Sequence, residues 1–120
     1  MSGKAARKPL SADAHTDAAA AFGKRARSKH GTDIIDLYVF GSTVRGEAHG
    51  RSSDVDVLVV VEENDRRALE ESLRDIALDV MLEYGPAIEL HILSETAFER
   101  HQREQNPFIQ NVLSEGQSYG

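Results

Sequence analysis

The sequence of 120 residues contains no cysteine, which excludes disulfide bonds, thiolate nucleophiles and cysteine-ligated zinc or iron–sulfur centres. Long apolar runs are also missing. The longest apolar runs, at residues 18–22 and 57–61, are far shorter than the roughly 20 apolar residues that a membrane-spanning helix needs. No apolar segment of a secretory signal follows the basic residues near the amino terminus. From these absences we expect a soluble cytoplasmic protein.

Charge is unevenly distributed along this chain, whose length and 40% hydrophobic content are typical of a single globular domain. The net charge is −6, but residues 1–30 carry +5 and residues 31–120 carry −11. Sequence-independent binding to nucleic acid needs a row of cations facing the phosphates, so the acidic majority argues against direct nucleic-acid binding. Metal ions or a basic partner fit this charge better.

Hydrophobic patterns predict one α/β domain over residues 11–120, preceded by a disordered basic segment at residues 1–10. The alanine-rich stretch 12–29 ends in basic residues and a glycine, as helices commonly do. Residues 34–40 and 55–61 are rich in β-branched residues and predict strands, the second with valines on both faces. The remaining predicted elements are helices at about 65–83, 94–105 and 108–113 and a third strand at 87–93.

Glycine, serine and threonine are concentrated in the segment 41–53, which joins the first two predicted strands. Gly41 and Ser42 follow the first strand directly, where free backbone N–H groups and a hydroxyl suit phosphate binding. Arg45 adds a guanidinium that binds phosphate oxygens, and residues 43–47 have room for a short helical turn. A tight turn that needs glycine only for backbone reasons is an equal alternative.

Asp54 and Asp56 stand two residues apart at the start of the second strand, so both side chains are expected on the same side of the sheet. Val55 and Val57 would then face the core on the opposite side. Two adjacent carboxylates repel each other, and a divalent cation with oxygen ligands offsets that repulsion. The alternative is a solvated strand end that the two aspartates merely cap.

Glu89 interrupts the apolar third strand, and His91 is expected on the same face. A carboxylate in such a strand is usually paired or bound to metal. If the third strand lies beside the second, Glu89 faces Asp56 and completes a three-carboxylate cluster suited to two metal ions and to nucleotidyl transfer. Glu89 would also be placed to accept the proton of an attacking hydroxyl. The alternative for Glu89 is an exposed glutamate on an edge strand. His91 is placed to contact a substrate, but for this residue we favour the role of an ordinary structural histidine.

These residues resemble a known family signature, G-S-x-x-R-G followed by S-D-x-D-x-L-V, at residues 41–46 and 53–59. The signature is that of nucleotidyltransferases of the DNA polymerase beta superfamily, and the short chain resembles their minimal nucleotidyltransferase (MNT) branch. The resemblance implies a small mixed β-sheet flanked by helices in a single α/β (α+β) domain. One difference is that the third acidic residue is Glu89, where the family more often has aspartate.

The resemblance also implies a chemistry, the metal-dependent transfer of a nucleoside monophosphate, with AMP from ATP as the expected case and pyrophosphate released. The implied nucleotide-binding residues are Gly41, Ser42 and Arg45, and the implied catalytic residues, which bind two Mg²⁺ ions, are Asp54, Asp56 and Glu89. Small MNT proteins resemble the antitoxin of a toxin–antitoxin pair. Their partner is an all-helical HEPN ribonuclease toxin, to which the antitoxin attaches AMP.

The leading interpretation is therefore an ATP-using enzyme that modifies a hydroxyl of a HEPN-domain partner. The main alternative is a catalytically weak, nucleotide-binding antitoxin that acts by docking to its partner. An antibiotic-modifying or RNA-tailing enzyme would need a second, substrate-binding domain, and we expect the about 27 residues after Leu93 to be too few for one. A structural domain without a site would leave the three carboxylates unexplained.

Overall fold

The computed structural model describes residues 12–40, 55–62 and 66–118, which together contain four helices and four strands. In chain order these are α1 (Ala12–His30), β1 (Ile34–Phe40), β2 (Val55–Val61), α2 (Arg66–Tyr84), β3 (Ile88–Ser94), α3 (Glu95–Arg103), α4 (Pro107–Glu115) and β4 (Gln117–Ser118). Among these described helices there is none whose length and apolar content would let it cross a membrane.

The four strands form one mixed sheet in the order β3-β2-β1-β4. β1 pairs antiparallel with both β2 and β4, whereas β3 pairs parallel with β2. The prediction of a small mixed sheet flanked by helices is therefore confirmed. The sequence pattern does not predict β4, because a strand of two residues has no alternation to detect.

The element bounds follow the sequence patterns closely, since β1 and β2 have the predicted ends and α1 and α2 differ by about one residue. The helix predicted over 94–105 is shorter. It ends at Arg103 because Gln105 adopts a φ of 56°, which is left-handed and cannot continue a right-handed helix. Three predictions concern residues outside the described ranges: disorder at 1–10, a helical turn at 43–47 and a helix cap at 64 or 65.

One face of the sheet, the closed face, is covered by α1 and α2. Alternate residues of β2 point to this face and are fully buried: Val55, Val57, Val59 and Val61. They belong to one apolar cluster with Phe22 of α1 and Leu73 of α2, neither of which is exposed to solvent. Burial of this cluster fixes the two long helices on the sheet.

A surface ion pair joins the two helices of the closed face. Arg25 Nη2 of α1 donates to Glu83 Oε1 of α2 at 2.6 Å. This hydrogen bond raises the pKa of the Arg25 guanidinium further above its ordinary value. The guanidinium carbon also lies 6.0 Å from the centre of the Tyr84 ring, within the range of a cation–π contact.

The opposite face of the sheet, the open face, is covered by the short helices α3 and α4. Leu58 and Val60 of β2 are buried there against Phe98 of α3 and against Ile109 and Val112 of α4. This second cluster contains fewer buried side chains than the first. Both faces of β2 are therefore covered, as its valine pattern predicts, but unequally.

Both helices of the open face begin at a side-chain cap. Ser94 Oγ accepts a hydrogen bond from the N–H of Ala97 at 3.1 Å, at the point where β3 passes into α3. Asn106 Oδ1 accepts from the N–H groups of Phe108 at 2.9 Å and Ile109 at 3.3 Å. These bonds satisfy backbone donors that the first helical turn leaves free, and they set where each helix starts.

Tyr38 of β1 lies on the open face and stacks on Phe98, with ring centres 6.1 Å apart and planes inclined by 23°. Partial burial raises the pKa of the Tyr38 phenol, and the negative charge of Asp36 raises it further. Both effects disfavour the ionised phenolate.

α4 ends against the sheet at Gly116, whose N–H donates to the Val112 carbonyl at 2.7 Å. A Cβ atom at position 116 would press against the carbonyl oxygens of Val112 and Val39. The absence of a side chain lets the chain turn directly from α4 into β4, where Gln117 pairs with Val39.

Candidate metal centre

The candidate site lies on the open face, in a row of residues that crosses three strands. Asp56 of β2 pairs with Phe40 of the antiparallel β1 on one side and with Glu89 of the parallel β3 on the other. Side chains that pair across neighbouring strands point to the same face of a sheet. Phe40, Asp56 and Glu89 are therefore neighbours on one surface.

Three side chains of this surface approach one another closely enough to share an ion. Asp56, Glu89 and His91 each offer a ligand atom, and these atoms all lie within 4.8 Å of one another. His91 Nε2 is 3.8 Å from Glu89 Oε2. The side chains of Glu89 and His91 are 55% and 34% exposed, and Asp56 is half-buried, so an ion could reach them from solvent.

The donor set fits a divalent cation. Ligands about 2.1 Å from an octahedral ion lie about 3 Å apart when adjacent and about 4.2 Å apart when opposite. The observed separations approach this range, so small side-chain rotations would bring the three groups onto one ion. Carboxylate oxygens are preferred ligands of Mg²⁺, and an imidazole nitrogen extends the choice to first-row transition metals.

Two aromatic rings, those of Phe40 and Phe108, lie close to the imidazole of His91. The imidazole centre lies 5.8 Å from that of Phe40 and 5.1 Å from that of Phe108. Phe40 and Phe108 also meet edge to face, with ring centres 5.4 Å apart. We call Phe40, His91 and Phe108 the aromatic cluster. It joins β1, β3 and α4 beside the two carboxylates.

A cavity of about 270 Å³ adjoins the aromatic cluster, and His91, His101, Asn106 and Phe108 are among the residues that line it. His101 Nδ1 is buried and, among the residues that the structure describes, has no hydrogen-bond partner. Polar and apolar side chains line this cavity in similar measure, and His91 belongs both to it and to the cluster with Asp56 and Glu89.

The structure brings together only part of the predicted site. Asp56 and Glu89 lie side by side on one face, which is the arrangement that a shared metal ion requires. The other predicted residues, Gly41, Ser42, Arg45 and Asp54, fall outside the described residues. The roles assigned to all six residues stay predictions.

The structure bears on two expectations about β3. This strand ends the described sheet and leaves the carboxylate of Glu89 largely exposed, as in the alternative of an edge-strand glutamate. The structure also places His91 close to Glu89 and Asp56, on the face where its spacing of two from Glu89 predicts it. The structural role expected for His91 from the sequence stays a prediction.

Comparisons with known proteins identify the family of the chain. The sequence profile of the nucleotidyltransferase domain matches residues 21–119. A protein of Methanocaldococcus jannaschii named "Putative protein adenylyltransferase MJ1305" is 38% identical over 66 residues. These residues make up 53% of this chain and 44% of that protein, so the match spans less than half of the relative's length.

A solved structure with a similar fold is a toxin–antitoxin crystallised with AMP-PNP. One of its chains superposes with a TM-score of 0.55, covering 82% of this chain and 70% of that chain. The sequence identity is 18%, so the likeness concerns the fold alone.

Proposed function

The chain belongs to the nucleotidyltransferase domain family, and from this premise we propose that it transfers AMP from ATP to an acceptor hydroxyl. The observation that supports the proposal is the pairing of Asp56 with Glu89 across β2 and β3, which puts two carboxylates side by side as a shared divalent cation would require. The name of the M. jannaschii relative, a protein adenylyltransferase, supports ATP as the nucleotide and a protein as the acceptor.

In the proposed reaction the acceptor oxygen forms a bond to the α-phosphorus of ATP while the bond to the β-phosphate oxygen breaks and pyrophosphate leaves. Asp54, Asp56 and Glu89 would hold the divalent ions, with two Mg²⁺ as the arrangement that the family resemblance implies. Such ions lower the pKa of the attacking hydroxyl and neutralise charge on the phosphates.

The protein's own residues would position the reactants and receive the proton. The exposed carboxylate of Glu89 is accessible to an incoming acceptor and can take the proton that its hydroxyl releases. Gly41, Ser42 and Arg45 would hold the triphosphate through backbone N–H groups, a hydroxyl and a guanidinium. The acceptor would then approach the α-phosphate from solvent, on the exposed side of Glu89.

We further propose that the acceptor is a hydroxyl of a HEPN-domain toxin and that this chain is the antitoxin of the pair. The support is the family resemblance together with the fold shared with a toxin–antitoxin crystallised with AMP-PNP. The alternative is an antitoxin that acts by docking and has weak catalysis. The carboxylate pair favours the enzyme, because docking alone requires no site for a cation.

The test is to incubate the purified chain and the product of the neighbouring gene with Mg²⁺ and with ATP labelled on either the α- or the γ-phosphate. Adenylyl transfer places the α-label, but not the γ-label, on the partner. Replacing both aspartates, Asp54→Ala with Asp56→Ala, should lower labelling at least about 100-fold because the cation ligands are lost. The matched control is Glu99→Ala, an exposed acidic residue of α3 outside the carboxylate cluster.

The outcomes separate the two candidates. Label on the partner that disappears in the double variant, with unchanged circular dichroism, supports the enzyme. Toxin inhibition that persists without label on either protein favours docking. Labelling that is retained in the double variant contradicts the assigned roles of Asp54 and Asp56.

A further inference from the structure

We propose that His91 is a direct ligand of the cation held by Asp56 and Glu89, and that its nitrogen makes the site prefer Mn²⁺ and related first-row transition ions over Mg²⁺. This inference deepens the proposed function and rests on it only for the presence of a cation between the two carboxylates. It concerns which ion the site selects and not whether nucleotide transfer occurs.

The position of His91 on β3 carries the first part of the argument. His91 follows Glu89 by two residues and therefore lies on the same face of the strand. Its Nε2 is 3.8 Å from Glu89 Oε2, which is too long for a hydrogen bond. That separation lies between the about 3 Å and about 4.2 Å expected for adjacent and opposite ligands of one octahedral ion.

The second observation is which contacts the imidazole of His91 makes. In the described ranges 12–40, 55–62 and 66–118, neither ring nitrogen of His91 takes part in a hydrogen bond. No donor or acceptor atom of these residues therefore fixes the tautomer or the orientation of the ring. Phe40 and Phe108 instead pack against the ring and hold it with Nε2 towards Glu89. The ring is thus oriented by apolar contacts, and its nitrogen is left for another partner.

The third observation is the chemistry of the three ligands, two carboxylates and one imidazole. Mg²⁺ favours oxygen ligands and retains several waters, so a site built only of carboxylates suits it well. Imidazole nitrogen is a good ligand for Mn²⁺, Co²⁺ and Zn²⁺, whose affinities for nitrogen exceed that of Mg²⁺. Adding His91 to Asp56 and Glu89 therefore raises the affinity for transition ions more than that for Mg²⁺.

The test measures metal binding to the full chain in the absence of nucleotide. Mn²⁺ and Mg²⁺ are titrated separately by calorimetry, and bound Mn²⁺ is examined by electron spin-echo spectroscopy, which detects a directly coordinated nitrogen. His91→Phe keeps an aromatic ring in contact with Phe40 and Phe108 but removes the nitrogen. His91→Gln serves as a second variant, should the phenylalanine disturb the fold as judged by circular dichroism.

We expect the spin-echo spectrum of the wild-type protein to contain a nitrogen modulation that both His91 variants lose. The Mn²⁺ dissociation constant should rise about 10–100-fold, whereas that of Mg²⁺ should change less than about 3-fold. The matched control is His101→Gln, because His101 lines the neighbouring cavity but is not part of the three-residue cluster. It should leave both dissociation constants and the nitrogen signal unchanged.

Three results would overturn the inference. They are Mn²⁺ bound without a nitrogen signal, equal losses of Mn²⁺ and Mg²⁺ affinity in His91→Phe, or no Mn²⁺ binding to the wild-type chain at millimolar concentration. Labelling of the partner with Mg²⁺ and ATP is measured on the same preparations. If that transfer is present while the nitrogen signal is absent, the ligand role of His91 fails and the proposed function stands.

Discussion

The two faces of the sheet differ in the residues that β2 contributes to them and in the helices that cover them. The residues of β2 that point to the closed face, beginning with Val55, are all apolar and lie under two helices of 19 residues each. Those that point to the open face begin with Asp56 and lie under two helices of nine residues each. The shorter helices bury Leu58 and Val60 but cover the first row of the face, Phe40, Asp56 and Glu89, only in part.

This difference shows how a small domain can combine stability with an accessible site. Most of the buried apolar surface belongs to the closed face, where tight packing needs no polar groups. The open face accepts incomplete cover, so carboxylates at its margin stay in contact with water and avoid the cost of burying a charge. We expect substitutions on the closed face to change stability most and those on the open face to change binding most.

The largest expected effect on stability is that of Phe22→Ala on the closed face. Phe22 is fully buried, and its loss should lower the free energy of unfolding by about 3–5 kcal/mol by leaving a cavity. Phe108→Ala is the matched variant on the open face, where the side chain is 37% exposed. It should cost only about 1–2 kcal/mol, and urea denaturation measures both changes. Equal losses for the two variants would refute the proposed division between the faces.

An intermediate effect is expected for Ser94→Ala, which removes the cap of α3 where β3 ends. The N–H of Ala97 loses its acceptor, so the free energy of unfolding should fall by about 0.5–2 kcal/mol. Ser94→Asp, which retains a capping oxygen, should recover most of this loss. If the aspartate variant is as unstable as the alanine variant, packing of the buried Ser94, and not capping, holds the start of α3.

A small effect is expected for Arg25→Gln on the outer surface of the closed face. The ion pair with Glu83 is short, but both side chains are well exposed and water screens their attraction. The free energy of unfolding should fall by less than about 1 kcal/mol, and high salt should reduce the difference between variant and wild type. A larger, salt-independent loss would mean that the contact of Arg25 with the Tyr84 ring contributes more than the charge pair.

The smallest effect at neutral pH is expected for Tyr38→Phe on the open face. The pKa of Tyr38 is raised in the folded protein, so folding favours the protonated phenol. This contribution is complete below the unfolded pKa of about 10 and is lost as pH rises from there through the higher folded pKa. Thermal melts of Tyr38→Phe should match the wild type near pH 7 and show less destabilisation above about pH 10. Identical alkaline profiles would contradict the prediction.

The sequence predicts the strands well because their signals are local. Residues 34–40 and 55–61 are β-branched and aromatic runs bounded by polar residues or glycine, and both have the observed bounds. The asymmetry of the two faces is less predictable. It depends on α3 stopping near Gln105, whose left-handed backbone is a property of the folded chain.

The residues of the candidate site also differ in how far the sequence predicts their placement. The side of the strand on which Asp56 and Glu89 lie depends on the alternation of side chains and can be read from the sequence. Their pairing depends on the parallel register of β2 and β3, which brings together residues 33 positions apart. The role proposed for His91 is harder still to predict, since it involves aromatic rings from β1 and α4 that contact the imidazole. No sequence pattern within β3 indicates that these aromatic rings lie next to His91.

The close backbone packing at Gly116 connects the segment between α4 and β4 with the candidate site. Any side chain at this position would collide with backbone atoms, which cannot move aside as a flexible side chain would. The collision would detach β4 from β1 and free the last turn of α4, the helix that carries Phe108. A methyl group at the end of α4 would thus disturb Phe108 and, through it, the imidazole of the proposed cation site.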